Sequence, residues 1–381
     1  MIRLLTSGES HGKGISAIIE GLPANIPIDI AFINNELIRR QKGYGRGKRM
    51  KIEHDKVQIL AGLRYGKTIG SPINLFIPNK DYKNWKDIMQ IEPGKESIRI
   101  TSPRPGHADL SGILKYNFRD IRNVIERASA RETAIRVAAG AIFKLFLKDF
   151  GITFYSRTIS VGKINSIEMN RKYEELDDTP LRCSDPVKEK QMMKLIDEAK
   201  SKKDTVGGIT EVVAKGVCPG LGSYSQYDKK LDARIALAML SIPSVKGIEI
   251  GEAFDNLKKF GSTVHDEIFY NTEKGFYRKT NRAGGIEGGI SNGEDIIINL
   301  AIKPIPTLGK PLHSVDILTK EKRLAKKERS DICVVPAIGV IAEAMLAYII
   351  SCAFLEKFGN DNMDDIKSNY NLYINRIRNV R

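Results

Sequence analysis

Residues 336–358 read Pro-Ala-Ile-Gly-Val-Ile-Ala-Glu-Ala-Met-Leu-Ala-Tyr-Ile-Ile-Ser-Cys-Ala-Phe-Leu-Glu-Lys-Phe. They sit in the longest apolar stretch of the chain, roughly Ile332–Leu355. Glu343 and the many small residues argue for a buried core helix, because a lone carboxylate is expensive in lipid. The spacing predicts a helix from near Pro336 to about Phe358, where Gly359 and Asn360 supply the stop. A similar helix starts near Ser129 and runs through Arg136-Val-Ala-Ala-Gly-Ala-Ile142 to about Phe150. Short β-rich runs surround the two: Ile15–Ile19, Val57–Leu60, Ile73–Ile77, Ile209–Val217 and Ile296–Ile302. The start of the last reads as buried on both faces. Runs of strands interleaved with a few long helices predict an α+β fold, not a regular βαβ series.

The remaining composition narrows the class. The 381 residues are 41% hydrophobic and 28% charged, which suits a soluble globular chain. A formal charge of +15 implies an anionic partner: nucleic acid, a membrane surface, or phosphorylated and carboxylated small molecules. The four cysteines form no C-x-x-C pair, so neither a zinc site nor a disulfide framework is expected. Ser7-Gly8-Glu9 follows too soon for a signal-peptide core, so a cytoplasmic protein is expected, with no membrane span. Residues 1–381 read as a single domain. Its charged helical stretch 163–204, with a stripe of Leu195, Ile196 and Ala199, and its polar tail 361–381 read as peripheral.

Two of the five histidines have unusual settings, His11 in Ser7-Gly-Glu-Ser-His-Gly-Lys-Gly14 and His107 in Arg104-Pro-Gly-His-Ala-Asp109. Imidazoles in glycine-rich loops suggest proton handling beside a ligand. The first loop fails as a phosphate loop, with three residues before Gly12-Lys13 and no following Ser or Thr. Gly43-Tyr-Gly-Arg-Gly47 follows an Arg/Lys-rich stretch, not a strand, so it is no dinucleotide fingerprint. Its cations, with Arg39, Arg40 and Arg46 among them, read either as a solvated face or as a loop folding over a phosphate or carboxylate. Ser129-Ala-Arg-Glu132 fits a capping box. Arg127 and Arg131 overload that positive helix end unless an anion arrives. Gly284–Gly293 reads as a hairpin or as a loop lying flat against a planar ring. Lys303-Pro-Ile-Pro-Thr307 is a stiff turn, and Arg329-Ser-Asp331 precedes the last long helix.

In this order, these segments resemble the chorismate synthase family over nearly the whole chain. Gly70-Ser-Pro-Ile73, Glu126–Thr133, Leu231-Asp-Ala-Arg234 and Val245-Lys-Gly-Ile-Glu-Ile-Gly251 add to the match. The resemblance implies core helices between two antiparallel four-stranded sheets with internal pseudo-symmetry, assembled as a homotetramer. It implies a trans-1,4 elimination that converts 5-enolpyruvylshikimate 3-phosphate to chorismate and phosphate with reduced FMN, and no metal. His11, with Ser10 beside it, resembles the histidine serving the flavin. His107 resembles the donor to the departing phosphate, and Asp331 the carboxylate that assists deprotonation at the flavin. Arg329, Arg131, Arg40 and Arg46 resemble the anion clamp, the last two also where NAD(P)H contacts are sometimes assigned. Flavin contacts are implied for Arg127, Ala128, Ser129, Ser244, Gly288, Lys303, Pro304, Ile305, Pro306, Thr307 and Arg329.

The chain departs from the family pattern in Gly220-Leu-Gly-Ser-Tyr-Ser-Gln-Tyr-Asp228, at Ser244 (commonly Ala) and at Ala128 (often Ser). Two rival readings are separable. A flavin oxidoreductase with net electron transfer would consume NAD(P)H stoichiometrically. A basic RNA-binding protein needs aromatics interleaved with the Arg/Lys loop, which holds only Tyr44. The expected partner is therefore a small anionic molecule, not nucleic acid.

Overall fold

The computed structural model describes residues 2–47, 54–94, 98–272, 275–325 and 330–380. Two antiparallel sheets frame the helices. The first holds β1 (Arg3–Gly8), β2 (Gly14–Glu20), β3 (Gln58–Ala61) and β4 (Ile73–Pro78) in the order β1-β2-β4-β3. The second holds β5 (Thr153–Val161), β6 (Ile164–Asn165), β7 (Gly208–Lys215), β8 (Val245–Ile250) and β9 (Ile296–Ile302) in the order β8-β9-β7-β5-β6. It therefore has five strands where the resemblance implies four. The extra one, β6, is a two-residue return of the chain onto the end of β5.

The main helices are α1 (Ile30–Gln41), α2 (Arg122–Ala128), α3 (Thr133–Lys148), α4 (Pro186–Ser201), α5 (Leu231–Leu240) and α6 (Val335–Phe358). Asp29 caps α1 by accepting from the amides of Ala31 and Phe32, and Asp185 caps α4 in the same way. α3 packs on β2 and β4, α6 on β7 and β5, and the two helices pack on each other. At their closest approach, a Cβ on Gly140 would collide with Ala344. α1 fills the space beside α3 and α6, and α5 bridges α6 and β8. α6 is apolar on every side because every side is covered. It is long and apolar enough to cross a membrane, yet 94% of its most apolar window is buried inside the protein.

β9 differs from the expectation of burial on both faces at its start. Ile296, Ile298, Leu300 and Ile302 point inward, while Ile297 and Asn299 are half-buried and Ala301 is exposed. Its outer face is only partly covered, so it keeps the alternation of a one-sided strand. The stretch 163–204 is peripheral only in part. α4 buries Met192 and Ile196, and Arg182 reaches the core. There Glu343 accepts from Arg39 at 2.9 and 3.0 Å, Lys144 at 2.5 Å, Ser156 at 2.6 Å and Arg182 at 3.1 Å. The carboxylate that argued against a membrane span thus anchors a buried ionic cluster. All four cysteines are buried and unbridged, and burial pushes the Cys218 thiol up to about 12.

Candidate active site

The chain reaches the site through glycine. Gly8 has φ +100°, and a side chain there would strike the backbone of Gly14 and Ile15. The loop between β1 and β2 therefore folds back tightly enough to place Ser10 and His11 against the end of α2 and the α2–α3 junction. A second loop, 104–109, is fixed by Asp109, which accepts from the Arg104 amide at 2.9 Å and from its guanidinium at 2.8 and 3.1 Å. These loops, the α2–α3 junction, the turn after β9 and the approach to α6 enclose one cavity of about 390 Å³. That size is within the range of small-molecule sites.

Ser10, His11, Arg40, Arg46, His107, Ala128, Ser129, Arg131, Ser244, Lys303, Ile305, Pro306, Thr307 and Asp331 all line this cavity. Pro304 does not. Arg127 turns away and donates to the carbonyls of Thr6 and Gly8. Gly288 lies in the turn of a small hairpin, Ile286–Glu287 with Ile290–Ser291, where Gly288 and Gly289 both have positive φ. The glycine-rich segment is therefore a hairpin within the chain. Arg329 lies outside the described residues.

The junction of α2 and α3 differs from the expected capping box. Ser129 accepts from the Arg131 amide at 3.3 Å and starts a short 3-10 turn, after which α3 begins at Thr133. Glu132 does not return to Ser129. It accepts from Thr6 at 2.8 Å and from Arg136 at 2.8 Å. The Ser129 hydroxyl donates to that of Ser10 at 3.1 Å, which ties the junction to the histidine loop. Arg131 already has a counter-charge. It donates to both oxygens of buried Asp55 at 2.6 and 2.7 Å and to Asn79 at 2.9 Å.

The uncompensated charge sits on Arg40 and Lys303. Arg40 donates to Thr133 at 3.0 Å and to the Ala130 carbonyl at 3.1 Å. Its Nη1 is buried without a hydrogen bond, 3.9 Å from the already engaged Asp55. Burial, with Arg46 and Arg131 nearby, pushes Arg40 down to about 10. Lys303 donates to the Gly106 carbonyl at 2.8 Å and has no carboxylate partner among the described residues. Burial, with Lys246 near, lowers its pKa. Arg46 pairs with Asp331 at 3.0 Å, and Asp331 also accepts from the Gly47 amide. A polyanion entering here would relieve both cations.

The two imidazoles are held differently. His107 Nδ1 faces the Pro105 carbonyl at 3.2 Å, so Nδ1 carries the proton and Nε2 accepts from the Thr307 hydroxyl at 2.8 Å. Burial first, then Arg104, pushes His107 below the ordinary histidine range. His11 Nδ1 donates to the Glu126 carboxylate at 3.0 Å, and its amide donates to the same group at 2.9 Å. Burial pushes Glu126 up, but the bonds and charge of His11 outweigh it and hold the carboxyl below its usual range. Trp85 stacks on His11 with ring centres 3.9 Å apart. Sequence reasoning missed Trp85, Glu126, Asp55 and Asn79 as site partners. The one signal for Trp85 was its being the sole tryptophan in the chain.

Comparison with known proteins gives the family. The chorismate synthase family model matches residues 2–355. The chorismate synthase of Aquifex aeolicus (strain VF5) is 52% identical, covering 99% of this chain and 98% of its own length. That of Alkaliphilus metalliredigens (strain QYMF) is 53% identical, covering 98% and 99%. A crystal structure of chorismate synthase superposes with a TM-score of 0.81 at 42% identity, covering 100% of this chain and 99% of that one. A match that runs from the first strand into the last core helix, and through every wall of the cavity, places this chain in the chorismate synthase family of enzymes.

Proposed function

We propose that the enzyme converts 5-enolpyruvylshikimate 3-phosphate to chorismate and phosphate with reduced FMN, and that this cavity is where it does so. The observation that carries the reading is Arg40: a buried guanidinium with an orphaned Nη1, beside two histidines and a carboxylate. Such a group fits a ligand that brings its own negative charges, as a phosphate and two carboxylates do. Arg40, Arg46, Arg131 and Lys303 would orient the substrate, and their fixed placement strengthens each contact. Ala128, Ser129, Ser244 and the turn Lys303–Thr307 would hold the flavin. Arg127, Pro304, Gly288 and Arg329 enter this proposal on resemblance alone.

The hydrogen lost is not adjacent to a carbonyl, so a side-chain base alone faces a steep barrier. Reduced FMN, when bound, supplies electron density to that elimination and recovers it, with no net oxidation. His107, once protonated at Nε2 as well, would hand that proton to the departing phosphate, after which Nε2 would again accept from the Thr307 hydroxyl. His11 would hold a proton at Nε2 toward the flavin. Asp331, anchored by Arg46 and Gly47, would serve the deprotonation. The layering of two sheets about α3 and α6 supports the family's pseudo-symmetric sandwich, and we read the working form as a cytoplasmic homotetramer.

The test is an anaerobic mixture of full-length protein, FMN, dithionite and 5-enolpyruvylshikimate 3-phosphate. Chorismate and phosphate should appear in equal amounts without matching consumption of reductant. No product, or product in proportion to reductant oxidised, would overturn the reading. Replacing dithionite with NADPH asks whether the chain reduces FMN itself.

A further inference from the structure

His11 sits in a loop with glycines at 8, 12 and 14, where a side chain would ordinarily sample several rotamers. Two other elements prevent that. α2 brings Glu126, which grips both the backbone amide and Nδ1 of His11. The segment after β4 brings Trp85, which covers the ring with an interplanar angle of 26°. The two elements are joined to each other. The Arg122 guanidinium lies 5.2 Å from the Trp85 ring centre, and the same group pairs with Glu126 at 3.5 Å. Trp85 Nε1 donates to Asp81 at 3.1 Å. Asn79 donates to the carbonyls of Glu9 and Gly12, both at 2.9 Å, so the tryptophan segment is stitched to the histidine loop at its base as well.

Hydrophobic packing does not explain Trp85. It is only half-buried, it belongs to neither apolar core cluster, and Lys83, Asn84, Lys86 and Asp87 around it are exposed. Its ring contacts are an imidazole and a guanidinium. With Nδ1 committed to Glu126, Nε2 carries no hydrogen bond among the described residues and is the atom left for a ligand in the cavity.

We propose that Trp85 and Glu126 are positioning residues that clamp the His11 imidazole between them, with Arg122 locking the clamp shut. This rests on the reading that His11 acts on the flavin in this cavity. The clamp fixes the tautomer and the ring plane before any ligand arrives, so the ordering cost is met during folding and not during turnover.

The single tryptophan makes the clamp directly visible, because all indole emission from the full chain comes from the ring stacked on His11. Contact with the His11 ring quenches the indole, so emission of the cofactor-free chain should rise in His11→Ala. In turnover, Trp85→Ala and Glu126→Gln should each lower kcat about 10–100-fold with KM within about twofold. Trp85→Phe, which keeps a stacking face, should recover most of the rate. Emission left unchanged by His11→Ala would overturn the clamp. So would a near-native kcat in Trp85→Ala, or a change confined to KM. Absence of turnover in the wild-type chain with the histidine-dependent quench intact would sink the reading of the reaction and not the clamp.

Discussion

As the proton donor we propose, His107 would need a proton at the working pH, and in the free enzyme burial and the Arg104 guanidinium both disfavour its charged form. A bound phosphate dianion would reverse the balance, because an adjacent negative charge favours the imidazolium. The proposed donor would then be armed by the group it serves. NMR titration of the free enzyme should place the His107 midpoint below that of an ordinary histidine. Arg104→Gln should move it upward, since a positive neighbour is lost. A midpoint unmoved by that substitution would show that Arg104 does not set it. At this scale the sequence singled out His11, His107, Arg40 and Asp331 by their local frames, and the structure brings all four to one cavity. It was silent on Trp85 and Glu126, which meet His11 across 74 and 115 positions of chain. No local spacing encodes such a meeting. Asp55 was hidden for the same reason, so Arg131 read as an unbalanced cation when it is already paired.

At the scale of elements, α6 was legible because its composition leaves no solvent-facing side, and its stop at Gly359 uses the expected residue. What the pattern could not reveal is that Glu343 is satisfied from four directions, by α1, α3, β5 and the segment before α4. Burial raises this carboxyl, but Arg39, Lys144 and Arg182 together hold it well below the usual range. Removing one member of such a buried cluster leaves the others uncompensated, which typically costs about 3–5 kcal/mol. Glu343→Gln should therefore lower the unfolding free energy measured by urea denaturation by an amount in that range. The folded-state pKa is depressed, so this contribution is fully present above the unfolded carboxylate pKa of about 4.3 and is lost as pH falls below it. The difference between wild type and Glu343→Gln should accordingly shrink as pH is taken below about 4. An undiminished difference there would assign the loss to packing instead of charge. The capping box at Ser129 was misread at this same scale. Its spacing was right and Ser129 does cap the 3-10 turn that leads into α3, but Glu132 is drawn to Thr6 and Arg136 instead of back to Ser129.

For the whole molecule, the α+β class followed from the mixture of core helices and short strands, whereas the pairing order of nine sheet strands did not. Pairing is decided by contacts such as β9 lying between β7 and β8, whose separation in sequence differs widely. The outer surface also has a large apolar stretch. Phe254, Leu257 and Phe260 are 63%, 80% and 86% exposed in the isolated chain. Three such residues within seven positions suit burial between copies in the proposed homotetramer. Sedimentation should give four times the 42.5 kDa chain mass. Leu257→Glu with Phe260→Glu should reduce that mass, while circular dichroism should stay unchanged. A tetramer indifferent to both substitutions would place the interface elsewhere.

The central position of α6 has a consequence for how the enzyme is made. A ribosome releases the chain from its N-terminus, so the first sheet and α3 emerge long before the helix they are shaped to receive. Until then the groove prepared by Gly140 stands open, and Arg39 and Lys144 have Glu36 as a partner but lack the Glu343 half of their pairing. A premature stop codon anywhere upstream of Val335 yields no half-active fragment, because the cavity has no back wall.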